Sequence, residues 1–364
     1  MEILVLDQSL KLKNVLSAWE NFSYSQKLNT KGSFSLSINA NLPQAENIYV
    51  GQLIYLSPTM CGYITRKEVV SQGDMANEVV HISGIELKDV IGSRITFPPE
   101  GKEAFTYEKM KADEIVMDLL DKLIVNPKDE RKKIPIFMLS DAFGVGSEQD
   151  FSTRLKALDS QVFELLLIDN LGLKCITDLN RKLVKLSVYK GADRTIDQKI
   201  NPPAVFSLNM GTLEKSVKTM DETAYKSVGI IGGEGEGLNC KIVEVPSDNE
   251  LSGFNRWETF IDLSDAKTDD ELISRGKSVL SEYDKVYSID GSVRDFDKFV
   301  FANGDYVTIQ DNQNNYQNVQ VTGITRSFDQ QHLEKQSLVF GKAPVTIAQA
   351  VNRRLSGLNN ILTK

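Results

Sequence analysis

The sequence predicts an α+β protein that is mainly β, with two similar β-barrels or sandwiches at the chain ends and α/β material inserted between them. Three observations predict it. Short runs alternate apolar and polar residues over the first 90 or so positions, helical periodicity takes over in the middle, and the opening strand pattern returns after residue 300.

In the opening section, Phe34-Ser-Leu-Ser-Ile38 alternates as a half-buried strand should. Gly51-Gln-Leu-Ile-Tyr-Leu56, Gly62-Tyr-Ile-Thr-Arg66 and Glu78-Val-Val-His-Ile-Ser-Gly84 follow, separated by Pro, Asn, Gly and Asp turn formers. From Thr106 the period changes. Ile115, Val116, Leu119, Leu120 and Leu123 fall at helical spacing. A second helix is expected through Arg154 to Leu166, with Leu155, Leu158 and Val162 on one face, and strands around Leu173–Thr177 and Leu183–Tyr189. Residues 227–245 read as strands and a tight loop. Thr268-Asp-Asp-Glu271 is a capping box that opens a third helix burying Leu272, Ile273, Gly276, Val279, Leu280 and Tyr283.

The closing section repeats the first. Gly304-Asp-Tyr-Val-Thr-Ile309 parallels Gly51–Leu56, Val321-Thr-Gly-Ile-Thr-Arg326 parallels Gly62–Arg66, and Lys335–Gly341 parallels Glu78–Gly84. The units expected are 1–100 and 296–342 as the two β-domains, the latter holding closing strands, with α/β units at 101–200 and 201–295, parts of which complete a barrel. A C-terminal amphipathic helix is expected at 343–364, where Ile347, Val351, Leu355, Leu358 and Ile361 share a face.

Composition excludes several function classes. A net charge of -8 argues against a phosphate-neutralising surface, and Arg131-Lys-Lys133 reads as a solvated loop. The N-terminus is too short and acidic for a signal peptide, and no run suffices for a membrane anchor. Cys61, Cys175 and Cys240 are widely spaced and read as reduced, buried thiols in a protein synthesised in the cytoplasm.

The search for chemistry returns no catalytic, cofactor-binding or metal-ligating residue, and no cofactor is expected. His81 and His332 lie far apart in sequence, and His81, flanked by apolar residues, reads as a packed strand residue. Gly229-Ile-Ile-Gly-Gly-Glu-Gly-Glu-Gly237 places Glu234 and Glu236 where a phosphate would be repelled, so it reads as a hairpin tip. Glu258 and Asp262, with Trp257 as a stacking platform, are the best carboxylate pair for a sugar. On a strand they lie about 13 Å apart at ~3.3 Å per residue, wider than the ~5–9.5 Å that glycosidases use. A structural role at a domain junction is the reading preferred for them.

Gly32-Ser-Phe-Ser-Leu36, Cys61-Gly-Tyr-Ile64, Gly191-Ala-Asp-Arg194, Gly232–Gly237, Gly253-Phe-Asn-Arg-Trp-Glu-Thr-Phe-Ile-Asp262, the Gly276 helix and Gly304-Asp-Tyr-Val-Thr308 form an ordered series. In it the chain resembles the siphovirus tail-protein family related to the baseplate hub, which also occurs in phage-derived tail-like bacteriocins. The resemblance runs from about residue 20 to residue 341 and carries no catalytic residues. It implies a non-enzymatic hub in the virion or tail-like particle, at the tail tip. Two tube-like β-barrels per subunit would form a homotrimeric, pseudo-sixfold ring. The implied partners are other copies of the chain, the tail tube or distal tail protein, and a spike or tip protein. DNA would only pass through the lumen. The alternatives are a tail-associated peptidoglycan hydrolase using Glu258 and Asp262, and a carbohydrate-binding adhesin using Trp19, Trp257 and some of the 11 tyrosines.

The 343–364 helix either docks on a neighbour or a tip protein, or folds back on its own chain. Deleting it separates the two. Docking predicts impaired assembly with unchanged stability of the single chain, and folding back predicts lower stability with unchanged assembly, read by sedimentation and denaturant unfolding.

Overall fold

The computed structural model describes residues 1–70, 78–235, 239–246, 251–264, 266, 268–281, 283, 286–293, 300–311 and 313–341. The chain is mainly β, as the alternating runs predict: 44% strand against 17% helix. The 343–364 segment lies outside the described residues.

The first half contains β1 (Ile3–Leu6), β2 (Leu12–Leu16), β3 (Asn21–Lys27), β4 (Ser33–Asn39), the single turn α1 (Pro43–Glu46), β5 (Leu53–Ser57), β6 (Met60–Val70) and β7 (Val79–Glu86). Its strands run β3-β4-β7-β6-β5-β1-β2 in space, with every adjacent pair antiparallel. Inward positions of β3, β4 and β7 (Phe22, Tyr24, Phe34, Leu36, Ile38, Val80, Ile82) form a single core with Trp19, Ile54 and Ile64. Phe34 explains two glycines of the motif series, because its ring occupies the space that a Cβ at Gly62 or Gly84 would need. His81 differs from expectation. Val80 and Ile82 take the buried face, so the pleat turns His81 outward, where it is exposed and its Nδ1 hydrogen-bonds Ser37 Oγ at 2.9 Å.

The middle of the chain forms β8 (Phe105–Lys111), α2 (Ala112–Leu120), β9 (Phe137–Leu139), β10 (Glu148–Thr153), α3 (Leu158–Ile168), β11 (Gly172–Asp178) and β12 (Leu183–Tyr189). Ile115, Val116, Leu119, Leu120 and Leu123 are all buried on the predicted face, the last through a π-turn at Asp121–Val125 that continues α2. The second helix starts four residues later than its periodicity suggests. Thr96 accepts backbone bonds from Leu155 through its carbonyl and from Lys156 through Oγ1, and Ala157 bridges Ile95, so this stretch is held out of the helix, with Leu155 exposed at φ 53°.

The remainder comprises β13 (Val205–Ser207), β14 (Leu213–Asp221), β15 (Val228–Gly232), β16 (Ile242–Val245), β17 (Glu258–Asp262), α4 (Asp269–Ser281), β18 (Val286–Val293), β19 (Tyr306–Gln310), β20 (Tyr316–Phe328) and β21 (Glu334–Gly341). A small sheet ordered β16-β15-β17 carries α4, with Ile231, Val245, Ile261, Leu272 and Leu280 between them. Thr268 Oγ1 accepts the Glu271 amide at 3.2 Å, as a capping residue should, and the Glu271 carboxylate pairs with buried Arg275. Gly276 lets this helix lie against Ile231.

The other strands repeat the first half. Their order β13-β19-β20-β21-β18-β14 matches β1-β5-β6-β7-β4-β3 in space and in chain sequence. The first half alone has β2, the small α/β unit interrupts the second between β14 and β18, and β13 runs parallel to its neighbour where β1 is antiparallel.

Backbone bonds give the register of this repeat. Gly51 N donates to Ile64 O and Ile64 N to Gln52 O; Gly304 N donates to Val321 O and Val321 N to Asp305 O. A bulge follows at once in both, and Thr65 Oγ1 and Thr322 Oγ1 donate to the facing strand's Ser83 and Val339 carbonyls at 3.4 Å each. Ile64 therefore corresponds to Val321, three residues from the match suggested by the shared Ile-Thr-Arg string.

The two halves share one sheet. β3 pairs antiparallel with β20, which joins both into one sheet of 13 strands. Among the described residues this sheet closes into no barrel and runs openly from β14 to β2.

Under the β3–β4 turn lies a buried ionic cluster. Lys88 Nζ is 3.3 Å from both Glu86 Oε2 and Asp89 Oδ1 and donates to Thr30 O at 3.0 Å, while Asp89 Oδ2 accepts the Gly32 amide at 2.7 Å. A Cβ at Gly32 would overlap the Glu86 carboxylate, which explains the glycine of Gly-Ser-Phe. Burial pushes Glu86 up to about 7 from 4.5, with Lys88 opposing the shift, and the two carboxylates hold Lys88 charged. The folded chain therefore binds a proton at Glu86 that the unfolded chain has released between these values, so this contribution is full below pH 4.5 and fades as pH rises through 7. The stability of the wild type relative to Glu86→Gln is expected to fall across that window by on the order of 3 kcal/mol, measured by urea unfolding at each pH.

Candidate assembly interface

The seam between the halves has an apolar and a polar face. On the apolar face Phe22 lies opposite Phe328, the rings stacked at 6.1 Å, and Trp19 meets both edge-on. His332, in the turn after β20, stacks on Trp19 at 4.3 Å, and the Met1 ammonium donates to its Nδ1 at 3.1 Å. Phe328 thus belongs to the core of the first half although it comes from the second. On the polar face Thr325 Oγ1 donates to Ser25 Oγ at 3.0 Å, and the Ser23 and Ser327 hydroxyls lie 3.2 Å apart. Alternation on both strands forces this division.

A second clasp uses the Gly191-Ala-Asp-Arg194 motif. Asp305, nearly fully buried, accepts the Ala192 amide at 2.7 Å, the Ala302 amide at 2.9 Å and Arg194 Nε at 2.8 Å. Gly191 lies so close that a Cβ would overlap the Gly304 carbonyl. The middle section is tied by these bonds to the start of β19.

Besides the short strands β2 and β13, two longer stretches of the sheet keep an open edge. Beyond its bulge, β6 pairs only with β7 over Arg66–Val70, and β14 pairs only with β18, among the described residues. Val69, Val217 and Met220 are exposed there. Three aromatic residues, Phe254, Trp257 and Phe260, are also exposed, on and before β17.

The residues singled out for chemistry are dispersed. Glu258 and Asp262 sit at the two ends of strand β17, and Arg256 bonds Glu258 at 2.6 Å and both oxygens of Glu244 at 3.0 and 2.9 Å. That fork is the role of the arginine in Gly-Phe-Asn-Arg-Trp-Glu, joining β16 to β17. Trp19 is buried rather than exposed. Cys61 and Cys175 are buried, and desolvation pushes the Cys61 thiol up to about 12. Cys240, only partly buried, lies near the Gly233 carbonyl in the β15–β16 hairpin. Residues 236–238 of the glycine-rich run lie outside the described residues, as do Ile347, Val351, Leu355, Leu358 and Ile361. No described group of three His, Cys, Asp or Glu could hold a metal, and no described helix is long and apolar enough to cross a membrane.

The sequence signals that mark the interface were the glycines and Gly-Ala-Asp-Arg. Nothing local marked β3 and β20 as partners, since their residues lie about 300 positions apart.

Comparison with known proteins agrees with this architecture. The family model of Siphovirus ReqiPepy6 Gp37-like proteins matches residues 2–342. Among solved structures, the prophage MuSo2 43 kDa tail protein from Shewanella oneidensis superposes with a TM-score of 0.58 at 11% identity, covering 94% of this chain and 98% of that one. Prophage tail protein gp18 from Listeria monocytogenes EGD-e gives 0.54 at 13% identity with 100% of both chains covered. The tail protein from Neisseria meningitidis MC58 gives 0.54 at 11%, covering 94% and 96%. At such identities the likeness establishes a shared fold. No curated protein matches the chain.

Asp305→Ala is expected to destabilise the chain by about 3–5 kcal/mol, because it leaves Arg194 and two amides without their acceptor. The shift in the denaturant midpoint measures it, and Asp305→Asn, which keeps one acceptor, should cost less.

Proposed function

The chain belongs to the Siphovirus ReqiPepy6 Gp37-like protein family, and on that premise we propose that it is a structural hub subunit of a phage or phage-like tail. In this reading three copies form a ring with six quasi-equivalent β-units, which joins the sixfold tail tube to a distal tip or spike and lets DNA pass through its lumen.

One observation carries the reading: each chain contains the same strand arrangement twice, in one sheet, with a matching bulge and glycine at equivalent positions. A trimer of such chains offers approximate sixfold symmetry to one neighbour and threefold symmetry to another. The fold shared with prophage tail proteins is consistent with that place. Glu258 serves Arg256 in a fork between strands, which favours a structural role for that stretch over hydrolysis.

A second reading, a carbohydrate-binding adhesin, is favoured by the exposure of Phe254, Trp257 and Phe260 on the inserted unit. Exposed aromatic rings can stack on sugar faces, but they also suit a protein interface.

Antibody labelling of tail particles in the electron microscope tests the hub. Label at one end of each particle, together with a sedimentation mass near three times that of one chain, is the expected result. Label absent from intact and disrupted particles alike would remove the hub reading.

A further inference from the structure

We propose that β14 of one chain pairs antiparallel with the open edge of β6 in a second copy, placing Val217 opposite Val70 and Asp221 opposite Arg66. This rests on the ring reading above and names the contact that would close it.

The inference follows from the internal repeat. Ile64 corresponds to Val321 by shared hydrogen bonds and bulge, so Arg66–Val70 of β6 corresponds to Gly323–Ser327 of β20. The registers through β7 and β21, then β4 and β18, carry the correspondence onward: Phe34 matches Ile289, and so Tyr24 of β3 matches Lys218 of β14. Within the chain, β3 lies on the edge of β20 with Lys27 opposite Gly323 and Ser23 opposite Ser327. The corresponding pair for the two unused edges is β14 on β6, with Asp221 opposite Arg66, Thr219 opposite Glu68 and Val217 opposite Val70.

The chemistry of the transferred pair is complementary although nothing in the correspondence required it. On one face a carboxylate meets a guanidinium, and the exposed Val217 meets the half-buried Val70. The contact lies between chains, because six strands separate β14 from β6 in the sheet order and no such pairing occurs among the described residues. A head-to-tail contact of this kind, repeated, closes a ring and covers the open edges of β14 and β6.

Cross-linking tests it in the full chain on a Cys240→Ser background. Val70→Cys protein and Val217→Cys protein, mixed and oxidised, are expected to give a disulfide-linked dimer that neither gives alone. Val69→Cys with Lys218→Cys is a second in-register pair. Val70→Cys with Asp221→Cys, offset by about 13 Å along the strand, should not link. Arg66→Asp and Asp221→Arg should each weaken self-association about fivefold, with recovery when they are combined. Oligomers that sediment as a ring but never cross-link at these positions would overturn the strand pairing and leave the ring reading standing. A chain that stays monomeric at all concentrations would overturn both, and a link formed within a single chain carrying both cysteines would show closure in cis instead.

Discussion

The pairing of β3 with β20 is the constraint on which the rest of the architecture depends. It brings together segments about 300 residues apart, so its loop-closure cost is large and must be met by the contacts it makes. Those contacts are strong for a six-residue seam. Two stacked phenylalanines, an indole edge and a stacked imidazole fill one face, and hydroxyl pairs occupy the other. With Phe328 seated in the first core, neither half can form its complete interior without the other.

Close backbone approach supports that seam from several sides. Gly62 and Gly84 admit Phe34, Gly32 admits the Glu86 carboxylate, and Gly191 admits the Gly304 carbonyl. At each place a side chain would separate elements that carry essential polar bonds: the Lys88 cluster beneath the β3–β4 turn and the Asp305 clasp at β19. Both clusters bury charge, which is tolerated because the lysine and arginine are partnered by carboxylates and the carboxylates accept backbone amides. They fix position more than they add net stability.

Pseudo-symmetry within one chain gives a way to face two kinds of neighbour. The halves differ where the chain must do something once. β14 and β18 are separated by the small α/β unit with its outward aromatic residues, while β3 and β4 are joined by a short turn over the ionic cluster. An edge strand that is sealed inside the chain on one side and open on the other is suited to association with a like edge.

Much of this was legible in the sequence. Alternation located β4 to β7 and the closing strands, helical spacing located α2, and the capping box located the start of α4, because each depends only on neighbours a few residues away. The repeat between the halves was visible as well, but its register was not. The Ile-Thr-Arg string placed it three residues off, since a bulge shifts side-chain direction without leaving a mark in composition. Helix α3 was placed too early because the bridge from Ala157 to Ile95 and the bonds to Thr96 hold residues 155–157 out of the helix, and His81 was turned to the wrong face because the burial of Val80 and Ile82 decides it. Local propensity and periodicity, then, determined the class of each element and the existence of two related halves. Which strands pair across 300 residues, which edges stay open, and which glycines are required were decided by the tertiary structure, because pairing between β-edges depends on how a strand's residues fit those brought alongside from far along the chain, not on its neighbours in sequence.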